Sequence, residues 1–286
     1  MSGKKLLSGS ADALIIAFLL FISAAMLIPL LNVLCLSLEP NYIAIEPSRL
    51  HIIPREITLK AYAEIIKKGQ IIISFRNSVF ITVLGSLSGT LLTAMMSYGL
   101  CDANVKGIKF ISYLILFTMM FSGGVIPMYM LIKNLGLMNN LMALVLPSIM
   151  SAYNVILMRS FFKSLPDSLS DSAKIDGCNE ARVFWRIILP ISKPIIATIL
   201  LFYAVARWNA YFDGAMYITD RNKKPMQVIL RELLILSDSP DTSGDLDIGM
   251  NVKMAIAFVT IVPILCVYPF LQKYFTQGIL LGSIKG

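Results

Sequence analysis

The sequence predicts an all-α integral membrane protein with about six transmembrane helices, organised as a single domain over residues 1–286. Three observations lead there. Hydrophobic residues make up 57% of the chain and charged residues 15%, with a mean hydropathy of +0.75, whereas a soluble globule carries about 45–50% apolar and about 25% charged residues. The apolar residues gather into runs long enough to cross a bilayer, for which about 20 suffice. One long polar stretch between those runs, Asp167–Pro190, carries helical periodicity rather than loop composition.

Lys4 and Lys5 precede an apolar run from about Ala13 to Leu38. Its basic start suggests a signal peptide, but the run is too long and lacks a small-residue cleavage site, so a retained first span is expected, bent at Pro29. Glu39–Gln70 reads as a long exposed loop broken by Pro40, Pro47 and Pro54, with a short helix over Tyr62–Lys68. The second span, about Asn77–Leu100, holds Gly85, Ser86, Ser88, Gly89 and Thr90, small residues that permit close helix approach. A polar turn at Asp102–Gly107 leads to a third span, about Phe110–Ile132, interrupted by Gly123, Gly124 and Pro127. Two readings of that interruption stay open: a plain kink, or a hinge lining a path. The fourth span covers about Asn140–Phe162, with Pro147 and Asn154 inside it, and the fifth about Pro194–Tyr217. A second long polar loop, Thr219–Asn251, carries Asp238, Pro240, Asp241, Gly244, Asp245 and Asp247. The sixth span, about Val252–Leu271, contains Pro263 and Pro269.

The polar stretch divides in two. Asp167–Asp176 follows Pro166, opens on an acid and stops at Gly177, the signature of a short capped helix. Asn179–Leu189 opens on Asn179 and Glu180, sets Val183, Phe184, Ile187 and Ile188 on one face, and ends at Pro190. Two short amphipathic helices joined by a glycine and held between spans make a rigid knob, suited to docking on another protein.

Polar chemistry concentrates in the fifth span, where Tyr203, Arg207, Trp208, Asn209, Tyr211 and Asp213 fall within three turns. A charge at mid-bilayer costs about 2.5–3.5 kcal/mol on insertion scales, so Arg207 should face protein or water. At 100° per residue, Tyr203, Arg207 and Tyr211 share one face while Asn209 and Asp213 share another nearly opposite. One face is therefore expected on a polar path and the other against a neighbouring span or a partner chain. Rings beside amide and carboxylate groups suit sugars, which offer apolar faces for stacking and hydroxyls for hydrogen bonds. The plainer reading is that Trp208 and Tyr211 pack, with Asp213 and Tyr217 at the outer interface.

Other chemistries find little support. Cys35, Cys101, Cys178 and Cys266 form no CxxC or Cys/His pattern, and His51 is the one histidine, so neither a metal site nor a catalytic triad is expected. The net charge of +8 is not gathered into a basic patch interleaved with aromatics. Anionic lipid and span-flanking loops account for it, and no nucleic acid partner is expected. Six spans put both termini and the knob on one side. Basic residues divide almost evenly between the two sides, but long loops weigh little in the rule. That leaves Lys4, Lys5, Lys163, Lys174, Arg182, Arg186 and Lys193 favouring a cytoplasmic knob.

Asp171-Ser172-Ala173, Asp176-Gly177, Ile187 and Leu189-Pro190 resemble, with matching spacing, the EAA loop of permease subunits in ATP-binding-cassette importers. Asp171 stands for Glu and Ser172 for Ala. Phe202-Tyr203-Ala204-Val205-Ala206-Arg207-Trp208-Asn209 resembles the fifth span of complex-sugar permeases of the maltose-importer lineage, in which a His or similar residue is expected where Arg207 stands. The ending Tyr274-Phe275, Gly278 and Gly282-Ser283-Ile284-Lys285-Gly286 is similar to that of the same permeases.

The resemblance implies a type I importer permease fold of a bacterial cell membrane, with termini and coupling loop (about residues 165–190) cytoplasmic. It implies a second, homologous permease, two ATPase subunits and an extracellular solute-binding protein that delivers an oligosaccharide. On this reading Asp171, Ser172, Ala173, Lys174, Asp176, Gly177 and Arg182 dock the ATPase, Lys285 and Gly286 make a second contact, and the fifth-span residues named above line the pathway. Arg207 could favour acidic sugars such as galacturonides. The sequence has no GxxxxGK[ST] loop, so ATP and Mg are expected on the partner ATPase, with no cofactor and no catalytic residue in this chain. A permease for a non-sugar solute remains an alternative. An ion-coupled transporter would need intramembrane carboxylates and an inverted repeat, neither of which is evident, and an embedded enzyme would need a polar catalytic cluster.

Overall fold

A computed structural model describes residues 3–45, 50–102, 105–236 and 249–283, and no strand occurs among the described residues. The helices are α1 (Gly3–Leu38), α2 (Asn41–Ala44), α3 (Lys60–Lys68), α4 (Gln70–Gly99), α5 (Ile108–Met120), α6 (Val125–Asn134) and α7 (Ala152–Phe162). There follow α8 (Ser168–Ile175), then α9 (Glu180–Val183), which runs through a π turn at Phe184–Ile188 into α10 (Leu189–Ile191). The last are α11 (Lys193–Trp208), α12 (Phe212–Tyr217), α13 (Met226–Leu236) and α14 (Met250–Ser283). The chain forms two compact units, residues 1–72 with 230–262 and residues 73–229 with 263–286.

In the first unit α1 leaves most of residues 11–31 exposed and buries its end, around Cys35, Leu36 and Ser37. The following segment is less exposed than its composition suggests. Glu39 is completely buried: its Oε2 lies 2.6 Å from His51 Nδ1, and its Oε1 accepts the Arg55 N–H at 2.9 Å. Asn32 accepts the His51 N–H at 2.9 Å, and the Ser37 and Tyr62 hydroxyls meet at 2.7 Å. The buried Glu39 side chain thus pins the predicted loop to the end of α1 through His51 and the Arg55 N–H, since burying a polar group is costly unless it is hydrogen-bonded. The expected Tyr62–Lys68 helix is present as α3. Helix α13, with the sequence MQVILRELLIL, occupies part of the predicted Thr219–Asn251 polar loop, whose Asp238, Pro240, Asp241, Gly244, Asp245 and Asp247 lie outside the described residues.

Three described helices are long and apolar enough to cross a membrane, Ala11–Leu38, Gln70–Gly99 and Met250–Val267. Two bent pairs, α5 with α6 at 111° and Glu180–Ile191 with α11 at 83°, raise the number to five if each is one span. Breaks inside the expected spans account for the smaller number of long apolar helices among the described residues. The third span is broken outright at residues 121–124, where Gly124 adopts φ +87°, a conformation open to glycine because it lacks Cβ. The fourth is no continuous span: a 3₁₀ turn at Leu141–Leu144 and an irregular stretch over residues 145–151, centred on Pro147, precede the 11-residue α7. Proline supplies no N–H, so the helical ladder fails there. The fifth ends at Trp208, and α12 begins after a break at residues 209–211.

Candidate functional site

The knob builds itself from local rules. At the end of α8 the Gly177 N–H donates to the Lys174 carbonyl at 3.0 Å and the Cys178 N–H to the Ala173 carbonyl at 2.9 Å, with Gly177 at φ +82°. That is a Schellman closure, which satisfies two carbonyls the helix would otherwise leave open. Two residues on, the Asn179 side chain accepts the Arg182 N–H at 2.9 Å and starts the next helix. The apolar face turns inward: Ala173, Val183, Phe184 and Ile188 pack with Ala94, Met158, Phe162, Ile195, Ile199 and Tyr203.

A polar staple closes the knob from outside. Lys174 Nζ lies 2.7 Å from Glu180 Oε1, and the Tyr98 hydroxyl donates to Glu180 Oε2 at 2.8 Å. Hydrogen bonds from Lys174 and Tyr98 hold the Glu180 carboxyl below its usual range, and the Glu180 carboxylate raises the Lys174 ammonium. Of the residues predicted to dock a partner, Asp171, Ser172, Lys174, Asp176, Gly177 and Arg182 are exposed. Ala173, at 7% exposure, faces the protein core instead. Sequence reading missed Ile175, the most exposed large apolar side chain of the knob at 87%. The isolated Ile at the end of an otherwise polar helix was the available signal. Lys285 and Gly286 lie outside the described residues.

The second constellation surrounds the broken fourth segment. Arg207, 8% exposed, donates from Nη1 to the Leu144 carbonyl at 2.6 Å and to Ser148 Oγ at 2.7 Å. Its Nη2 donates to the Val145 carbonyl at 3.2 Å and to the Ser148 carbonyl. One turn earlier the Tyr203 hydroxyl accepts the Ser151 N–H at 2.8 Å and meets Thr93 Oγ1 at 2.7 Å. Irregular backbone in a membrane is tolerated only where its polar groups find partners. Tyr203 and Arg207 supply them from α11. Two glycines of α4 complete the seat, since a Cβ on Gly89 would stand 2.6 Å from the Ile149 carbonyl oxygen and one on Gly85 3.1 Å from Arg207 Nε.

The break ends the simple two-face picture of the fifth span, because Tyr211 and Asp213 lie beyond the end of α11. Tyr203, Arg207 and Asp213, with Ser148, Tyr153 and Asn154, line a cavity of about 1080 Å³. Trp208, Asn209 and Tyr211 do not line it. Trp208 meets Phe75 edge-on at 5.7 Å and borders a separate apolar groove. Asn209 is exposed, bonding back to the Val205 carbonyl at 2.9 Å and accepting from Gln227 Nε2 at 3.3 Å. Ser148, Ser151, Tyr153 and Thr93 were not singled out by sequence. For Ser148, Ser151 and Tyr153, hydroxyls close to Pro147 inside an apolar run were the available signal; Thr93 carried none. Among the described residues no three His, Cys, Asp or Glu side chains gather to hold a metal ion.

Residues 89–281 match the family of binding-protein-dependent transport system inner membrane components. The chain belongs to that family. This permease is thus an all-α membrane protein and a transport subunit of an ATP-binding-cassette importer, not an enzyme. It is 45% identical over 240 residues to Protein LplC of Bacillus subtilis, covering 82% of this chain and 81% of that one. With the polygalacturonan/rhamnogalacturonan transport system permease protein YtcP of the same organism it shares 41% identity over 281 residues, 96% of this chain and 98% of the relative. The permease also superimposes, with a TM-score of 0.84 and 27% identity, on a chain from the crystal structure of a bacterial ABC transporter involved in the import of the acidic polysaccharide alginate, covering 96% of this chain and 99% of that one.

Proposed function

We propose that this permease imports an acidic oligosaccharide, of the galacturonide class, handed over by an extracellular solute-binding protein. The observation that carries the substrate is the 41% identity, over 96% of the chain, to a permease named for polygalacturonan and rhamnogalacturonan. The likeness to an alginate importer chain points the same way. Arg207 contributes less than its charge suggests, because its guanidinium is already engaged by the Leu144, Val145 and Ser148 carbonyls. The whole chain acts as one permease domain and forms the pathway with a second, homologous permease. The cavity walled by Ser148, Tyr153, Asn154, Tyr203, Arg207 and Asp213 is this chain's share of that pathway.

Two ATPase subunits, which hold the ATP and Mg, dock from the cytoplasm on the outer face of the knob. Asp171, Ser172, Lys174, Asp176, Gly177 and Arg182 are its contacts, with Lys285 and Gly286 adding a second. Both termini lie on the cytoplasmic side. Closure of the ATPases displaces the knob, and its inward apolar face passes the displacement to α11. The test is ATP hydrolysis by the reconstituted complex, with binding protein loaded in turn with galacturonides and with neutral oligosaccharides of equal length. Stimulation by galacturonides above the neutral series supports the proposal. Equal stimulation overturns the acidic substrate, and transport by this chain without ATP or partners overturns the assignment as a whole.

A further inference from the structure

The end of α4 nearest the knob carries a second, unrelated cleft. It occupies about 420 Å³, and its lining includes Lys106, Lys109, Arg159 and Lys163 around a floor formed by Leu100 and Cys101. The lining holds four cations and no carboxylate. Asp102, the neighbouring acid, does not line the cleft, and its charge acts on Lys174 and Glu180. Arg159 is fixed in place, donating from Nε to the Leu100 carbonyl at 2.9 Å. The Cys101 thiol reports the local field: burial pushes it up, while Arg159 and Lys163 pull it down. Apolar and cationic lining therefore meet at the ends of three membrane-associated helices, where α4 stops at Gly99, α5 starts at Ile108 and α7 stops at Phe162.

That combination matches one chemistry. A phosphodiester carries the negative charge that would balance the four cations, and glycerol and acyl carbons suit the apolar lining of Leu100, Val105 and Ile108. A free phosphate would use the cations and leave the floor uncovered. We propose that this cleft binds the headgroup phosphate of an anionic phospholipid such as phosphatidylglycerol, tethering the α4–α5 turn to the leaflet. Basic pockets between spanning helices are suited to such headgroups. The side of the membrane rests on the orientation given above, but the binding itself does not.

The test uses the full chain, purified in detergent and examined by native mass spectrometry with phosphatidylglycerol, phosphatidylcholine or inorganic phosphate added. Wild type should retain phosphatidylglycerol over phosphatidylcholine. A basic residue near an anionic surface contributes about fivefold, so the triple variant Lys106→Gln, Lys109→Gln, Lys163→Gln should weaken that retention on the order of 100-fold. The charge-preserving variant Lys106→Arg, Lys109→Arg, Lys163→Arg should keep it, which separates loss of binding from loss of fold. Equal retention of both lipids, or unchanged retention in the glutamine variant, overturns the proposal. Displacement of the lipid by millimolar inorganic phosphate assigns the cleft to a free anion and overturns it as well. Failure of galacturonide transport would leave every one of these readouts unaffected.

Discussion

Replacing Arg207 by Met should damage the fold before it damages transport. The guanidinium occupies the carbonyls of Leu144, Val145 and Ser148 and the Ser148 hydroxyl, inside a helix bundle and next to a segment with no helical ladder of its own. Met matches the volume but donates nothing. Each buried polar group left without a partner costs about 1–3 kcal/mol, which for three carbonyls brackets the loss at about 3–9 kcal/mol. The lower end is the better figure, because Ser148 borders the cavity and water can reach it. A loss of about 3 kcal/mol is still a large share of a typical total of about 5–15 kcal/mol. The assay is thermal unfolding of the purified, detergent-solubilised protein, where a drop of roughly 6–12 °C is expected. Arg207→Lys, which keeps the charge and three donors but not the fork, should recover part of it. An Arg207→Met protein that unfolds with the wild type yet fails in transport would refute the clamp and leave Arg207 only its place in the cavity wall.

Three further outcomes follow from the same geometry. Gly89→Ala places a Cβ against the Ile149 carbonyl, a backbone atom with nowhere to yield. It should destabilise by about 1–3 kcal/mol in thermal unfolding, while Gly85→Ala, whose Cβ would stand 3.1 Å from Arg207 Nε and so needs a smaller shift, should do less. At Gly177 nothing lies within 4 Å of a built Cβ, so φ +82° alone sets the penalty. Gly177→Val should loosen the knob by about 1–2 kcal/mol and Gly177→Asn by less, read as faster hydrogen exchange of the Cys178 and Arg182 amides and lower coupled ATP hydrolysis. The Glu180 carboxyl, depressed by Lys174 and Tyr98, is deprotonated more readily in the closed knob than in an open one. Its contribution is therefore complete above its ordinary 4.5 and lost as pH falls through the depressed value. The raised Lys174 contributes fully below 10.5 and loses its share only as pH rises through its raised value. At neutral pH both are present, and since the pair is about half exposed, Glu180→Gln should cost no more than about 1 kcal/mol, seen as at most fivefold faster exchange at Ala181–Val183.

Much of this architecture was legible because it obeys local chemistry. Asp167–Asp176 and Asn179–Leu189 were placed within a residue or two, since acidic starts, Gly177 and Asn179 are positional signals that work at short range. The break at Gly123–Gly124 could be seen but not sized, because glycine permits a bend without dictating 111°. The interruption at residues 145–151 was hidden for a different reason. Leu144, Val145, Leu146, Ile149 and Met150 are as apolar as any helical span, and hydropathy does not register whether the backbone is hydrogen-bonded to itself or to a side chain sixty residues away. For the same reason the second task of Arg207 and Tyr203, holding that backbone while lining the cavity, was not visible. Their partners are main-chain atoms, which leave no mark in a sequence. Glu39 and His51 were likewise read as part of an exposed loop, although burial of one against the other is what fixes that loop.

Ala173 of the knob and Tyr203 beside the cavity belong to one packed cluster, and that shared membership constrains how this permease can evolve. Residues in a common close-packed group do not contribute independently, and their substitution energies interact by about 0.5–3 kcal/mol. A substitution at Ala173 therefore perturbs the cavity wall at Tyr203, and compensating changes should be sought in Met158, Phe162 and Ile199, which share the cluster.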